Sequence, residues 1–309
     1  MEIFTKAVTE ELRPGRSLKL LHCRATSGRL AARVLFCHGS MSSMTQYAAN
    51  IKYAVDRGDV DVLAYDWLGC GESAKPEDWT AYSRAELLAD LRAAYERLSG
   101  GAADGVPVIL VAHSYGTSLA IQLAADLAAE PEKSAAPAAL FLMSAATGDA
   151  AGKAMGGVFH MPVFALRLLQ PTMSRAFAKM ALHPNTDEAI KMQSQSVSKN
   201  NEMHVCKAFY RQMQFPWVQP DVLKTASGVP ALFLHGESDS LSPVQEAQLL
   251  ADNFPRKVFR VIGPASHQVM MEQSVGTNAL LGKLIDNGTA GFDVLAGLAE
   301  LQLSSTSAL

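Results

Sequence analysis

The stretch Val108-Ile-Leu-Val-Ala-His-Ser-Tyr-Gly116 is an apolar run that stops at a serine between small residues and passes at once into the helical spacing of Leu119, Ile121, Leu123 and Leu127. Apolar residues without polar alternation describe a strand covered on both faces. A strand that turns sharply into a helix strains the backbone at the serine, and the small residues two places before and after it, Ala112 and Gly116, leave room for the turn. The turn lifts the Ser114 hydroxyl above the carboxyl edge of the sheet, where the first N–H groups of the helix also point. Serine is equally a common helix cap, so the pentapeptide alone leaves both readings open.

Outward from this stretch, further short apolar runs bounded by turn residues predict strands at residues 17–24, 33–37, 60–65, 138–143, 229–234 and 257–262, with the quoted one covering 106–112. Amphipathic stretches between them predict helices at 46–57, from Ser83, whose spacing to Glu86 is a capping-box signature, from Ser114, and at 244–254 behind Pro243. The alternation gives an α/β fold class, a mostly parallel central sheet with helices on both faces. Residues 147–226 break the rhythm. They carry helical patterns punctuated by Pro162, Pro171, Pro184, Pro216 and Pro220 but no strand pattern. The expected organisation is a core domain of residues 1–146 and 227–309 with a helical cap of 147–226 inserted into it. Seven methionines, Met155, Met161, Met173, Met180, Met192, Met203 and Met213, populate that insertion. Either they form an adaptable lid over a hydrophobic substrate or they fill a small helical core.

Four other segments accompany the serine: Val34-Leu-Phe-Cys-His-Gly-Ser40, Asp66-Trp-Leu-Gly-Cys-Gly-Glu-Ser73, Leu232-Phe-Leu-His-Gly-Glu-Ser-Asp239 and Gly263-Pro-Ala-Ser-His-Gln268. With Ala-His-Ser-Tyr-Gly standing close to G-x-S-x-G, their order resembles the α/β-hydrolase superfamily over about residues 33–268, Ala112 being the departure. The resemblance implies a nucleophile Ser114, a base His267 and an orienting acid Asp239, each at the carboxyl end of a strand. It also implies an oxyanion hole built from the backbone N–H groups of Ser40 and Tyr115. Asp149, after the preceding strand, is a second option for the acid, and capping the next helix is another role for Asp239. The Asp66 segment reads as a braced loop. His113, beside Ser114, points away from it, and His38 and His235 suit turn and packing roles. The implied chemistry is acyl-bond hydrolysis on a serine, with no metal and no organic cofactor. Aspartate-dependent relatives, the dehalogenases and epoxide hydrolases, are excluded by the serine. Lyases, cofactor-free peroxidases, acyltransferases and non-catalytic receptors of the same fold are not.

Composition bounds the remaining choices. Of 309 residues, 49% are hydrophobic and 18% charged, the balance of a globular protein with a sizeable core. A net charge of −3 offers no basic excess for nucleic acid or an anionic membrane. The partner expected is a small-molecule acyl substrate. Cys23, Cys37, Cys70 and Cys206 are scattered without a C-x-x-C pair and read as buried thiols. The first thirty residues have no signal-peptide core, and no apolar run approaches the roughly 18 residues of a membrane span, so a cytoplasmic location is the default expectation.

Overall fold

Seven apolar runs and one charged run become eight strands in a single sheet. The computed structural model describes residues 2–100, 104–130, 135–148, 157–213, 216–287 and 295. The strands are β1 (Val8–Arg13), β2 (Arg16–Cys23), β3 (Ala32–Cys37), β4 (Val60–Tyr65), β5 (Val108–His113), β6 (Ala139–Met143), β7 (Ala231–Gly236) and β8 (Lys257–Ile262), in the spatial order β1-β2-β4-β3-β5-β6-β7-β8. The β1/β2 and β2/β4 pairs are antiparallel and all others parallel. Every residue of β3 to β7 is buried. Successive side chains go to opposite faces, Leu35, Leu63 and Leu110 into one core cluster and Val34, Val62 and Ile109 into the other.

Strands β3 to β8 form at the expected places, with starts moved by a residue or two. β5 begins at Val108 and β7 at Ala231 because Pro107 and Pro230 have no N–H to give; each contributes its carbonyl to a neighbouring strand instead. β1 was not expected. Its sequence Val-Thr-Glu-Glu-Leu-Arg is that of a half-solvated edge, and it is held by a tight turn at Gly15 (φ 74°) and by Arg13 and Arg16, which both reach the buried Asp90.

The first helices are α1 (Ala48–Asp56), α2 (Arg84–Ser99) and α3 (Tyr115–Ala129). The expected helix at 46–57 is split, its start being a 3-10 turn over Met44–Tyr47. At the head of α2, Ser83 Oγ accepts from the Glu86 N–H, but the reciprocal half of the capping box is not made, because the Glu86 carboxylate takes a hydrogen bond from Arg13 instead. Then come α4 (Val163–Ala181), α5 (Glu188–Lys199), α6 (Met203–Gln212), α7 (Pro220–Ala226), α8 (Val244–Ala251), α9 (Val269–Glu272) and α10 (Ser274–Asn287).

Between β6 and β7 the described residues contain helices and no strand. Pro171 does not end a helix as expected. It lies within α4, where it removes one backbone donor but leaves the helix continuous. The last helix of this segment, α7, packs along α3 and so belongs with the sheet's own helical layer. Most of the segment's methionines are filler: Met203 is in the core, and Met161, Met173 and Met213 pack against it, while Met155 lies outside the described residues. Three cysteines are buried; Cys23 is half-buried rather than enclosed, and all four are free thiols. No helix among the described residues is long and apolar enough to cross a membrane.

The Asp66 segment is the brace its sequence suggested. Asp66 Oδ1 accepts from the Met44 N–H at 2.7 Å and Oδ2 from the Glu72 N–H at 2.9 Å. A Cβ on Gly71 would stand 2.0 Å from that carboxylate, so only glycine fits there, at φ 49°. Burial raises the Asp66 carboxyl from 3.8 to about 6 against the pull of those two amides. A carboxyl whose folded value is raised contributes stability that is present at low pH and lost as pH climbs through that value, here between about 4 and 6, amounting to about 2–3 kcal/mol. Asp66→Asn should therefore gain on the wild type as pH rises. Melting temperatures of the two proteins near pH 4 and near pH 7 test this, and a gap that stays constant would contradict it.

Candidate active site

Loops after β5, β7 and β8 leave the sheet at its carboxyl edge, β6 lying between the first two. At the first, Ser114 sits at φ 51° and ψ −127°, a strained conformation for a residue with a side chain. The turn is tight because α3 starts against β3: a Cβ on Gly116 would stand 2.5 Å from the His38 carbonyl oxygen and 3.0 Å from that of Cys37. Ala112, the departure from G-x-S-x-G, is fully buried within the core, which accommodates its methyl. Ser114 Oγ does not cap the helix it begins. It lies 3.0 Å from His267 Nε2.

His267 Nδ1 is in turn 2.9 Å from Asp239 Oδ2. With Nδ1–H donating to the carboxylate, Nε2 is free to accept from the serine hydroxyl. Asp239 does not cap the next helix, which begins behind Pro243 without a side-chain cap; its other oxygen, Oδ1, accepts from the Leu241 and Ser242 N–H groups at 3.0 and 2.9 Å and closes the turn before it. Burial works to raise this carboxyl, but His267, His235 and the Ser242 amide outweigh it and hold the group down at about 2. Asp239 is therefore ionised at neutral pH. Asp149 lies outside the described residues.

The neighbouring histidines are structural. His113 Nε2–H donates to the His267 carbonyl oxygen at 2.8 Å, which commits that nitrogen to the loop's backbone. His38 donates from Nδ1 to the Gly39 carbonyl at 2.7 Å and accepts the Trp67 N–H at Nε2, and burial pushes it down to about 4. His235 Nε2–H donates to the Ser242 carbonyl at 2.6 Å, bracing the turn that carries Asp239. Among the described residues, neither the Ser40 nor the Tyr115 N–H has a hydrogen-bond partner, whereas the next amide, Met41, is turned to the Cys70 thiol.

Sequence reasoning missed two residues that position the His267 loop. Ser144, just past β6 with φ 47°, donates its hydroxyl to the same His267 carbonyl at 2.9 Å. Its signal was its place after an apolar strand, equivalent to that of Ser114. Glu272, five residues beyond His267, accepts from the Ser266 N–H at 2.8 Å with one oxygen and from the His183 N–H at 2.7 Å and the Thr186 hydroxyl with the other. Further bonds join the same loops to the end of α4: Ser266 and Ser240 hydroxyls donate to the Met180 carbonyl, and the Gln268 N–H donates to that of Ala181. On the opposite side, Gln193 of α5 donates to the Thr45 carbonyl and Asn201 to that of Met41.

Beneath α4 and α5 lies a cavity of about 220 Å³ that reaches Ser114, His267 and Ser40. Its apolar wall includes Phe177, Met180, Leu241 and Met271, so of the described methionines between 147 and 226 only Met180 faces it. It falls below the roughly 300 Å³ of pockets for drug-sized ligands and suits a small molecule.

A mostly parallel eight-stranded sheet, helix-covered on both faces and carrying a serine at a strand-to-helix elbow, is the α/β-hydrolase fold. The chain belongs to the Hydrolase_4 family, described as serine aminopeptidase S33, whose model matches residues 28–274. Among curated proteins it is 28% identical over 255 residues to Protein ABHD8 of Bos taurus, a match that covers 82% of this chain and 55% of that protein. The chain thus spans little more than half the length of that relative. Among solved structures it resembles a thermophilic esterase from Thermogutta terrifontis (TM-score 0.69, 19% identity, 90% of this chain and 97% of that one). It also resembles an enol-lactonase from Burkholderia xenovorans LB400 (TM-score 0.70, 15% identity, 88% and 97%). At these identities the likeness is one of fold.

Proposed function

We propose that the protein is a serine hydrolase that cleaves a carboxylic ester or related acyl bond of a small, hydrophobic acyl substrate through an acyl-enzyme intermediate. The observation that carries this reading is the unbroken chain from Ser114 Oγ through His267 to an ionised Asp239, at 3.0 and 2.9 Å, opening onto an apolar cavity.

A neutral serine is a weak nucleophile and needs an adjacent base. His267 Nε2 takes the Ser114 proton as Oγ bonds to the substrate carbonyl carbon, and Asp239 keeps the imidazole in the right tautomer and stabilises its cationic form. The carbonyl oxygen, now negative, is met by the unengaged N–H groups of Ser40 and Tyr115, donors of the kind whose single loss costs about a hundredfold or more. Collapse of this intermediate breaks the bond to the leaving group, which departs with the proton from His267. Water, deprotonated by the same histidine, then attacks the acyl carbon and releases the acid and free Ser114. The Thermogutta esterase and the Burkholderia enol-lactonase, both named for acyl-oxygen cleavage, add support for this reaction class.

A fluorophosphonate probe, which reacts with activated serines, tests the reading. Wild type should be labelled and Ser114→Ala should not, and medium-chain p-nitrophenyl esters should be hydrolysed faster than the acetate. Absence of labelling in the folded wild type would replace the hydrolase by a non-catalytic binding protein of the same fold.

A further inference from the structure

The turn that carries Ser40 is held in a conformation that its own sequence does not favour. The Ser42 N–H donates to the Gly39 carbonyl at 3.3 Å and closes a four-residue turn, whose third residue, Met41, stands at φ 52°. That place in a turn ordinarily falls to glycine when φ is positive, and a residue with a side chain keeps it only where its surroundings enforce it. The enforcement comes from outside the turn.

Two anchors supply it, one on each side of Ser40. Upstream, Gly39 is pressed onto the end of β5, where a Cβ on it would stand 2.6 Å from His113 Nδ1. Downstream, the Met41 carbonyl accepts a hydrogen bond of 2.7 Å from Asn201 Nδ2, while the Met41 N–H is turned to the Cys70 thiol and its side chain lies in the core. Asn201, just past α5, is itself fixed, since Gln170 of α4 donates to the carbonyls of Lys199 and Asn201 at 2.9 and 2.8 Å. Two more side chains of the same helical segment reach the same stretch: Gln193 donates to the Thr45 carbonyl at 3.1 Å, and the Tyr210 hydroxyl stands 3.5 Å from Ser40 Oγ. Ser40, Met41 and Ser42 line the cavity, so the helices above it grip the very turn that offers the Ser40 amide.

Building on the hydrolase reading, we infer that Asn201 is a positioning residue for the oxyanion hole: by holding the Met41 carbonyl it keeps Met41 left-handed and the Ser40 N–H aimed at the developing negative charge. Without the carboxamide donor, Met41 is free to relax toward negative φ, and the Ser40 amide in the same turn moves with it. Ser114, His267 and Asp239 lie on other loops and stay where they are. A donor displaced by about 1 Å loses much of its worth to the oxyanion, so the fault falls on one step of the chemistry rather than on binding.

The test separates this from a general loss of structure. A medium-chain ester and its thionoester differ only in the atom that becomes negative, and sulfur is the poorer hydrogen-bond acceptor. Their intrinsic reactivities cancel when the ratio of the two kcat/KM values is compared between proteins. In Asn201→Ala, kcat for the ester should fall by about tenfold or more with KM little changed, and the thionoester should suffer less, so that the ester-to-thionoester ratio drops by about fivefold or more. Asn201→Asp, of the same size but with an acceptor in place of the donor, should do the same and serves where the alanine protein does not fold. Asn200→Ala, at an exposed neighbouring position, is the control and should keep the wild-type ratio. Fluorophosphonate labelling of the wild type, measured first, keeps the two readings apart. If the wild type is labelled but the folded Asn201 variants keep its ratio, whether at full activity or with both substrates slowed alike, the positioning role is overturned and the hydrolase stands. If the folded wild type is neither labelled nor active, the hydrolase reading falls and takes this inference with it.

Discussion

His267→Ala is expected to reduce kcat/KM for an activated ester by about 10⁴-fold or more, with the fold retained. Among the described residues lining the cavity, His113 is the one other histidine, and it is a poor replacement. His113 is adjacent to the nucleophile, but its Nε2–H is committed to the His267 carbonyl, and burial pushes it well below the ordinary histidine value. The companion change at the acid is more telling, because it leaves the shape of the site intact. In Asp239→Asn, the Leu241 and Ser242 N–H groups still demand an acceptor where Oδ1 stands, so the new amide must put its oxygen there and its NH2 toward His267. The imidazole is then forced to accept at Nδ1 and carry its proton on Nε2, facing Ser114 with a donor where a base is needed. A loss of about 10³–10⁴-fold follows in a protein that still folds, with a lowered melting temperature at neutral pH because the depressed carboxyl contributes stability there. Near-wild-type hydrolysis by either variant, measured on folded protein, would remove these residues from the mechanism.

Gly236→Ala should cost on the order of a hundredfold or more in turnover without altering any side chain of the site. Gly236 ends β7, and a Cβ built on it would lie 2.1 Å from the Ser266 carbonyl oxygen and 2.8 Å from that of Ala265. Those atoms are backbone of the loop that holds His267, so the loop has to move outward, and a shift of about 1 Å is enough to spoil an aligned proton transfer. Gly228→Ala is the control, since a Cβ there meets nothing within 4 Å. Equal activity of the two alanine proteins would show that the loop yields freely and that its close seat on β7 has no functional weight.

The sheet was legible where strands are buried on both faces, because short apolar runs such as Ile109–Ala112, bounded by Pro107 and the Ser114–Gly116 turn, are too short for a helix. β1 escaped because an edge strand needs neither apolar residues nor alternation once a hairpin and an ion pair fix it. The elbow serine, acid and histidine were legible through chain order, and the structure brings their side chains together. Their supporting groups were not, since a hydroxyl such as that of Ser144 looks like any other until its one acceptor, a carbonyl 123 residues away in the chain, is known. The region between β6 and β7 was legible as helical but not in its detail. Pro171 sits inside a helix whose neighbours α5 and α6 hold it, and whether a methionine there faces a cavity or a core depends on that packing.

Glu272 and the end of α4 give the roof over the cavity an unusual status. Met180, Ala181, His183 and Thr186 are fastened to the very loops that carry Asp239 and His267. The roof is thus a structural wall of the candidate site as well as its ceiling. Chimeras that exchange this region between relatives cannot be spliced at its two chain ends alone. A transplanted roof has to arrive with a matching residue at 272 and at 266, or the imidazole beneath it loses its seat.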